Sequence, residues 1–348
     1  MLVDGVRQLV LGVVQKAHEN PQRSKVATRS GPSEQPCHTV SMPQRPSPIP
    51  VVAIVGPTAS GKTSLSLDLA EALGGEVVNT DAMQVYRGMD IGTAKLPVSE
   101  RRGIPHHLLD TLSVRDPATV AEFQGWARAA IADIRDRGCV PVLVGGSALY
   151  TRAILDRFDF PGTDPDLRAR YEAELADVGP AALHARLREL DPDAADRIEP
   201  ANGRRIVRAL EVIELTGRPF SATLPVQEYV DPATVQVGVE IPRDVLEQRI
   251  ATRVHAMFDA GLLDEVDRLL ADGLAEGRTA SLAIGYRQAM AVLAGHMSVE
   301  EAQERTIIAT RKFARRQMAW WKDDPRITWV AYDDPDRVAK ALSVVREG

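Results

Sequence analysis

The chain has 348 residues, 44% of them hydrophobic and 26% charged, which is the usage of a globular protein with two domains or one large domain carrying an insertion. A net charge of −6 argues against indiscriminate nucleic-acid binding while leaving room for a local basic groove, and no apolar run approaches the ~18 residues that span a bilayer. Cys37 and Cys139 are the only cysteines, which excludes a disulfide scaffold and a four-cysteine zinc site and fits a reducing cytoplasm.

Residues 1–49 differ in texture from the rest. The apolar stretch Leu9 to Val14 is short and Asp4 precedes it, so export is not expected. Pro32, Pro36, Pro43, Pro46, Pro48 and Pro50 then follow among polar residues, and such a segment buries too little apolar surface to offset its ordering entropy. A disordered tail is predicted there, with Met42 as an alternative start that N-terminal sequencing would test. From Val51 short apolar strands alternate with amphipathic helices. Strands are predicted at Val51–Val55, Glu76–Thr80, Val140–Val144, Val235–Ile241 and Ile327–Tyr332. A helix with Leu65, Leu69 and Leu73 on one face follows the first strand. Asp116-Pro117 is expected to cap and open another through Arg137, burying Val120, Phe123, Ala127, Ile131 and Ile134. The pattern predicts an α/β fold: a parallel sheet core with helices on both faces, over residues 50–162 and 232–345. Residues 163–231 break the rhythm. Leu167, Tyr171 and Leu175, then Leu183 and Leu187, then Ile206, Leu210 and Ile213 form helical stripes, so an all-helical insertion is predicted.

Gly56-Pro57-Thr58-Ala59-Ser60-Gly61-Lys62-Thr63 matches the phosphate-loop pattern G-x-x-x-x-G-K-[ST], directly after a strand and before a helix. Glycines let successive backbone N–H groups point inward, and the helix N-terminus adds partial positive charge. Lys62 is expected to reach an outer phosphate and Thr63 to ligate Mg2+. The strand that would carry the customary metal-binding aspartate ends instead in Gly145-Gly146-Ser147. Asp81 stands at the C-terminal end of the Glu76–Thr80 strand, where ligands bind in open α/β sheets. A carboxylate facing a phosphate clamp suits deprotonation of a nucleophile, although a turn or cap role explains Asp81 equally well on this pattern alone.

Several consecutive motifs together resemble one family. The phosphate loop, Asp81-Ala82-Met83-Gln84-Val85-Tyr86, Gly88 to Lys95, Pro105-His106-His107-Leu108, Leu143 to Tyr150, Arg204 to Val212, Gly285-Tyr286-Arg287 and Arg315-Arg316-Gln317-Met318-Ala319-Trp320 come in the order seen in tRNA dimethylallyltransferases, with similarity from about Val51 to Tyr332. The resemblance implies a phosphate-loop-NTPase-like core and transfer of a dimethylallyl group from dimethylallyl diphosphate to N6 of the adenosine just 3′ of a tRNA anticodon, in tRNAs reading codons that begin with U. It implies Asp81 as general base, Lys62, Thr63 and Arg253 as groups neutralising the departing diphosphate, and Mg2+ as cofactor. Ser147 stands where many relatives have threonine; the hydroxyl survives with more rotamer freedom. His106-His107 is taken by the resemblance as a loop lining the substrate channel rather than a metal site. A C-terminal zinc finger, found in some relatives, is not expected.

The segment Arg305–Lys322 holds Arg305, Arg311, Lys312, Arg315, Arg316 and Lys322 and no acid, with Ile307, Ala314, Met318 and Trp321 on a separate apolar face. Such a strip is either a solvated helix face or a track for a phosphate backbone, and the resemblance favours the second. By the same resemblance Arg168, Arg204, Arg205 and Arg208 on the insertion, and Ala82, Met83, Gln84, Gly285, Tyr286, Arg287, Gln317 and Trp320, contact the anticodon stem-loop. Tyr86, Tyr286 and Trp320 are the candidates for stacking on a splayed adenine. A monomeric cytoplasmic enzyme is expected. The alternatives are a small-molecule phosphate-loop kinase, an isopentenyltransferase acting on free adenine nucleotides, and a non-catalytic RNA-binding protein.

Overall fold

A computed structural model describes residues 48–158, 160–223 and 227–347. The expectations for the tail and for Met42 lie outside the described residues. The elements run β1 (Val51–Val55), α1 (Lys62–Leu73), β2 (Gly75–Asn79), β3 (His106–His107), α2 (Val120–Asp136), β4 (Val140–Val144), α3 (Ala148–Leu155), α4 (Pro165–Leu190), α5 (Pro192–Arg197) and α6 (Gly203–Thr216). They continue with β5 (Thr234–Glu240), α7 (Arg243–Asp259), α8 (Leu262–Ala271), α9 (Tyr286–Leu293), α10 (Val299–Trp321), β6 (Ile327–Ala331) and α11 (Arg337–Glu347).

All six strands are parallel, in the order β3-β2-β4-β1-β5-β6. Their valine-rich sequences follow from burial on both faces, since successive side chains alternate across a strand. Val52 and Ile54 pack with Val142 and Val237 beneath Leu65 and Leu69 of α1 and Ala341 and Val345 of α11. Val51 and Ala53 face the other way, against Phe123, Ala127 and Ile134 of α2 and Ile154 of α3. The register pairs Ile54 with Val144 on one side and Val237 on the other, so the loop after β1 emerges between the ends of β4 and β5. Loops at that edge of an open sheet are where ligands bind.

The structure departs from the sequence reading in three places. Helix α2 starts at Val120, not at Asp116-Pro117. Thr119 is its N-cap, its hydroxyl accepting from Glu122 N (3.2 Å) and donating to Glu122 Oε2 (2.6 Å), so the helix opens there and not at the upstream Asp-Pro. Asp116 instead closes a turn by accepting from Ser113 N. His106 and His107 form the edge strand β3, paired with Val77 and Val78, rather than a loop along the channel. His107 donates from Nε2 to the buried Glu76 (2.6 Å). Finally, a second run of helices, α7 to α10, lies between the neighbouring strands β5 and β6, where the sequence reading placed only the Arg305–Lys322 helix.

Helices α4 to α6 build a separate core from Tyr171, Leu183, Leu187, Ile206 and Leu210. Gly179, at φ 79°, and Pro180 interrupt α4, the first by a left-handed backbone and the second by lacking an N–H. Among the described residues, no helix is long and apolar enough to cross a membrane.

Candidate active site

The turn from β1 into α1 sets the phosphate loop. Gly56 has φ 139°, and a Cβ there would meet Val239 O of β5 at 3.0 Å, so glycine is required twice over. Lys62, in the first turn of α1, is buried and donates from Nζ to Pro57 O (2.6 Å). Burial, reinforced by the Arg253 guanidinium and opposed by the Asp81 carboxylate, pushes its ammonium down to about 7. Ser60 is fully buried and its hydroxyl has no hydrogen-bond partner among the described residues. An orphaned donor inside a glycine-rich loop is what an anion would satisfy. Thr63, next to Lys62, is exposed.

Asp81 follows β2. Its backbone is fixed by Asn79, whose Oδ1 accepts from Asp81 N (2.8 Å) and whose amide donates to Asp81 O and Leu108 O. Its carboxylate accepts from Met83 N (2.8 Å). Desolvation nonetheless pushes the carboxyl above the usual range, against the pull of those amides and of Lys62. Asn79 was not singled out in the sequence; its place two residues before Asp81 at a strand end is the signal for an Asx-type brace.

Asp81, Thr58, Ser147 and Arg253 line one cavity of about 340 Å³. The remaining wall is mostly apolar, with Ile250, Val254 and Met257 of α7, Phe313 of α10, and Leu282, Ala283 and Ile284 of the preceding loop. These apolar residues had no mark in the sequence, because helical apolar positions look the same whether they face a core or a cavity. Arg253, on α7, donates to Thr58 Oγ1 (3.4 Å), and burial and the neighbouring Arg249 hold it below its ordinary value. Ser147 N-caps α3 by position without a side-chain cap bond, so its hydroxyl is not tied to that helix.

The residues expected to hold RNA divide into two groups. Ala82, Met83 and Arg316 line the cavity, Arg204, Arg205, Arg287 and Arg315 are exposed, and Trp320 is 42% exposed with the Arg152 guanidinium 5.9 Å from its ring. The others are engaged internally. Arg168 and Arg208 both bind the fully buried Glu211, at 2.6 and 3.0 Å. Gln84 donates to Thr93 O, and Gly285, at φ 91°, opens α9. Tyr86 and Tyr286 are fully buried, which removes Tyr86 from the stacking candidates; Tyr286 touches the cavity but donates its hydroxyl to Glu265 (2.5 Å). Gln317 is 4% exposed and faces the phosphate loop rather than solvent. Glu265, unremarked in the sequence, is a hub: besides Tyr286 it accepts from Asp90, Ile91 and Gly92 N, fixing the loop whose Gly92, Thr93 and Ala94 form part of the cavity wall.

Residues 84–324 match the family model described as IPP transferase. The chain is 70% identical over 304 residues to a tRNA dimethylallyltransferase of Nocardioides sp., covering 87% of this chain and 98% of that one. A tRNA dimethylallyltransferase of Salinispora tropica is 61% identical over 301 residues, with 85% and 92% covered. Among solved structures, the full-length tRNA isopentenylpyrophosphate transferase of Bacillus halodurans superposes with a TM-score of 0.62 at 40% identity, covering 86% of this chain and 95% of that one. A eukaryotic dimethylallyltransferase acting on tRNA gives 0.73 at 28% identity, covering 84% and 77%.

Proposed function

The chain belongs to the IPP transferase family, and we propose that it transfers a dimethylallyl group from dimethylallyl diphosphate to N6 of the adenosine 3′-adjacent to a tRNA anticodon. The observation that carries this reading is one cavity in which a half-buried carboxylate, Asp81, the Arg253 guanidinium and Thr58 of the phosphate loop share space with an apolar wall large enough for a short branched hydrocarbon. A kinase needs no such wall, and the Gly145-Gly146-Ser147 end of β4 offers no second carboxylate to a nucleotide-bound metal.

The chemistry balances on these side chains. The exocyclic amine attacks the allylic carbon, the carbon–oxygen bond to the diphosphate breaks, and the diphosphate departs with the bonding electron pair. The proton lost by nitrogen passes to Asp81, whose raised carboxyl is a better acceptor than an ordinary aspartate. Lys62, Arg253 and the loop amides meet charge where it develops, on the leaving oxygen, and act with most effect where water is excluded. Ser147 has a free-standing hydroxyl to orient either reactant.

Thr63, an exposed residue beside Lys62 in the first turn of α1, is the residue that would hold a magnesium ion accompanying the diphosphate. When bound there it would supply charge neutralisation of the diphosphate. In this reading the enzyme works in the cytoplasm as a monomer on one anticodon stem-loop.

The test is incubation with unmodified tRNA and dimethylallyl diphosphate, followed by nucleoside mass spectrometry for N6-dimethylallyladenosine. Wild-type protein is expected to form it only with the donor present, and Asp81→Asn to lose roughly 10²–10⁴ in kcat. Full activity in that variant, or phosphate transfer from ATP, overturns the assignment.

A further inference from the structure

The side chain of Gln317 spans the two backbone segments that frame the reaction. Its Oε1 accepts from Thr58 N in the phosphate loop (2.9 Å), and its Nε2 donates to Gly146 O, one residue before Ser147 (2.8 Å). It does so from α10, whose opposite face exposes Lys312 and Arg315. The fit is tight: a Cβ on Gly146 would lie 2.3 Å from Nε2, so glycine at that position is the counterpart of the glutamine. The partners are 259 and 171 residues away in the chain, and the side chain is 4% exposed. A primary carboxamide accepts through its oxygen and donates through its nitrogen, so one side chain ties both segments.

We propose that Gln317 is a positioning residue for group transfer, a carboxamide bracket that fixes the separation between the phosphate loop and the Gly146–Ser147 turn and anchors both to the helix carrying the basic strip. This rests on the proposed function, and it assigns Gln317 to the geometry of the donor rather than to RNA contact. By occupying Thr58 N it also leaves the unpartnered Ser60 hydroxyl to the phosphate groups. Without the bracket the loop and the turn drift independently, and near-attack geometry is lost although each substrate still binds; misplacement of about 1 Å costs on the order of 10² in rate.

The test uses Gln317→Met, which keeps the length of the side chain and removes both hydrogen bonds, with Gln317→Ala as a second variant. Expected for Gln317→Met is a kcat reduced about 10–100-fold, with the equilibrium affinity for tRNA, measured by filter binding, within about threefold of wild type. Amide exchange in the 56–63 peptide is expected to quicken, because the Thr58 N–H has lost its acceptor. Loss of tRNA affinity at unchanged kcat would make Gln317 an RNA contact and overturn the proposal, as would unaltered exchange in that peptide. If the wild-type protein forms no prenylated product, the functional reading falls, while the exchange measurement still decides whether the bracket exists.

Discussion

Near neutral pH the Lys62 ammonium is about half titrated, because burial and Arg253 outweigh the attraction of Asp81. Diphosphate binding needs the cation, so kcat/KM for the donor is expected to fall tenfold per pH unit as pH rises through about 7. On the acid side the proposed reaction needs Asp81 ionised to accept the amine proton, and its raised carboxyl moves that limb above the ordinary carboxylate range. The profile of kcat/KM against pH is therefore bell-shaped. In Lys62→Arg, where the charge does not titrate, the alkaline limb is expected to leave the region of pH 7. A limb that stays in place assigns it to another group. Lys62 and Asp81 were both visible in the sequence because their signals are local, a loop motif and a strand end. Glu265 and Asn79 were not, because what gives them importance is which backbone amides and carbonyls they meet.

Helix α10 shows how one element divides its work. Ala302, Thr306, Ala314, Gln317 and Trp321 are buried, while Lys312, Arg315 and Arg316 are exposed. The four-residue spacings make the basic strip legible, but Gln317 sits among residues of the same motif and its direction is set by the packing of α10 against α7, α9 and α3. On α6 the split is similar. Arg208 is spent on Glu211, leaving Arg204 and Arg205 free to face a polyanion from the surface. Reversing both, Arg204→Glu with Arg205→Glu, is expected to raise the KM for tRNA at least tenfold, to leave the donor KM unchanged, and to lower the slope of log K against log salt by about 2. A salt titration of tRNA binding checks it; an unchanged slope assigns those arginines to solvent.

Across the whole molecule, the chain must leave and re-enter the sheet at the helices α4 to α6. Both crossings are pinned at one place. Val230 N donates to Leu155 O and Arg157 N to Glu228 O, while Arg326 binds the fully buried Asp156 (2.6 Å) and Asp324 (2.6 Å) and lies 4.1 Å from the Tyr229 ring. Removing the cation leaves the buried Asp324 without its ion pair and the buried Asp156 with only Arg152 (3.3 Å). Arg326→Met is expected to destabilise the fold by roughly 3–5 kcal/mol, seen as a lower denaturation midpoint, and to raise the KM for tRNA more than that for the donor. Equal effects on the two substrates would show that the anchor does not orient the insertion.

The sequence by itself determined the alternation of valine-rich strands and amphipathic helices, the phosphate loop at the end of β1 and the carboxylate at the end of β2, because each depends on residues within a few positions of one another. Tertiary structure alone decided that α7 and α10 wall the cavity, that β3 forms from two histidines, and that Gln317 turns inward. Those outcomes come from segments separated by up to 259 residues, where side-chain spacing carries no information about which neighbour a face will meet. Burial of apolar surface chooses the neighbour, and hydrogen-bond satisfaction then fixes the orientation.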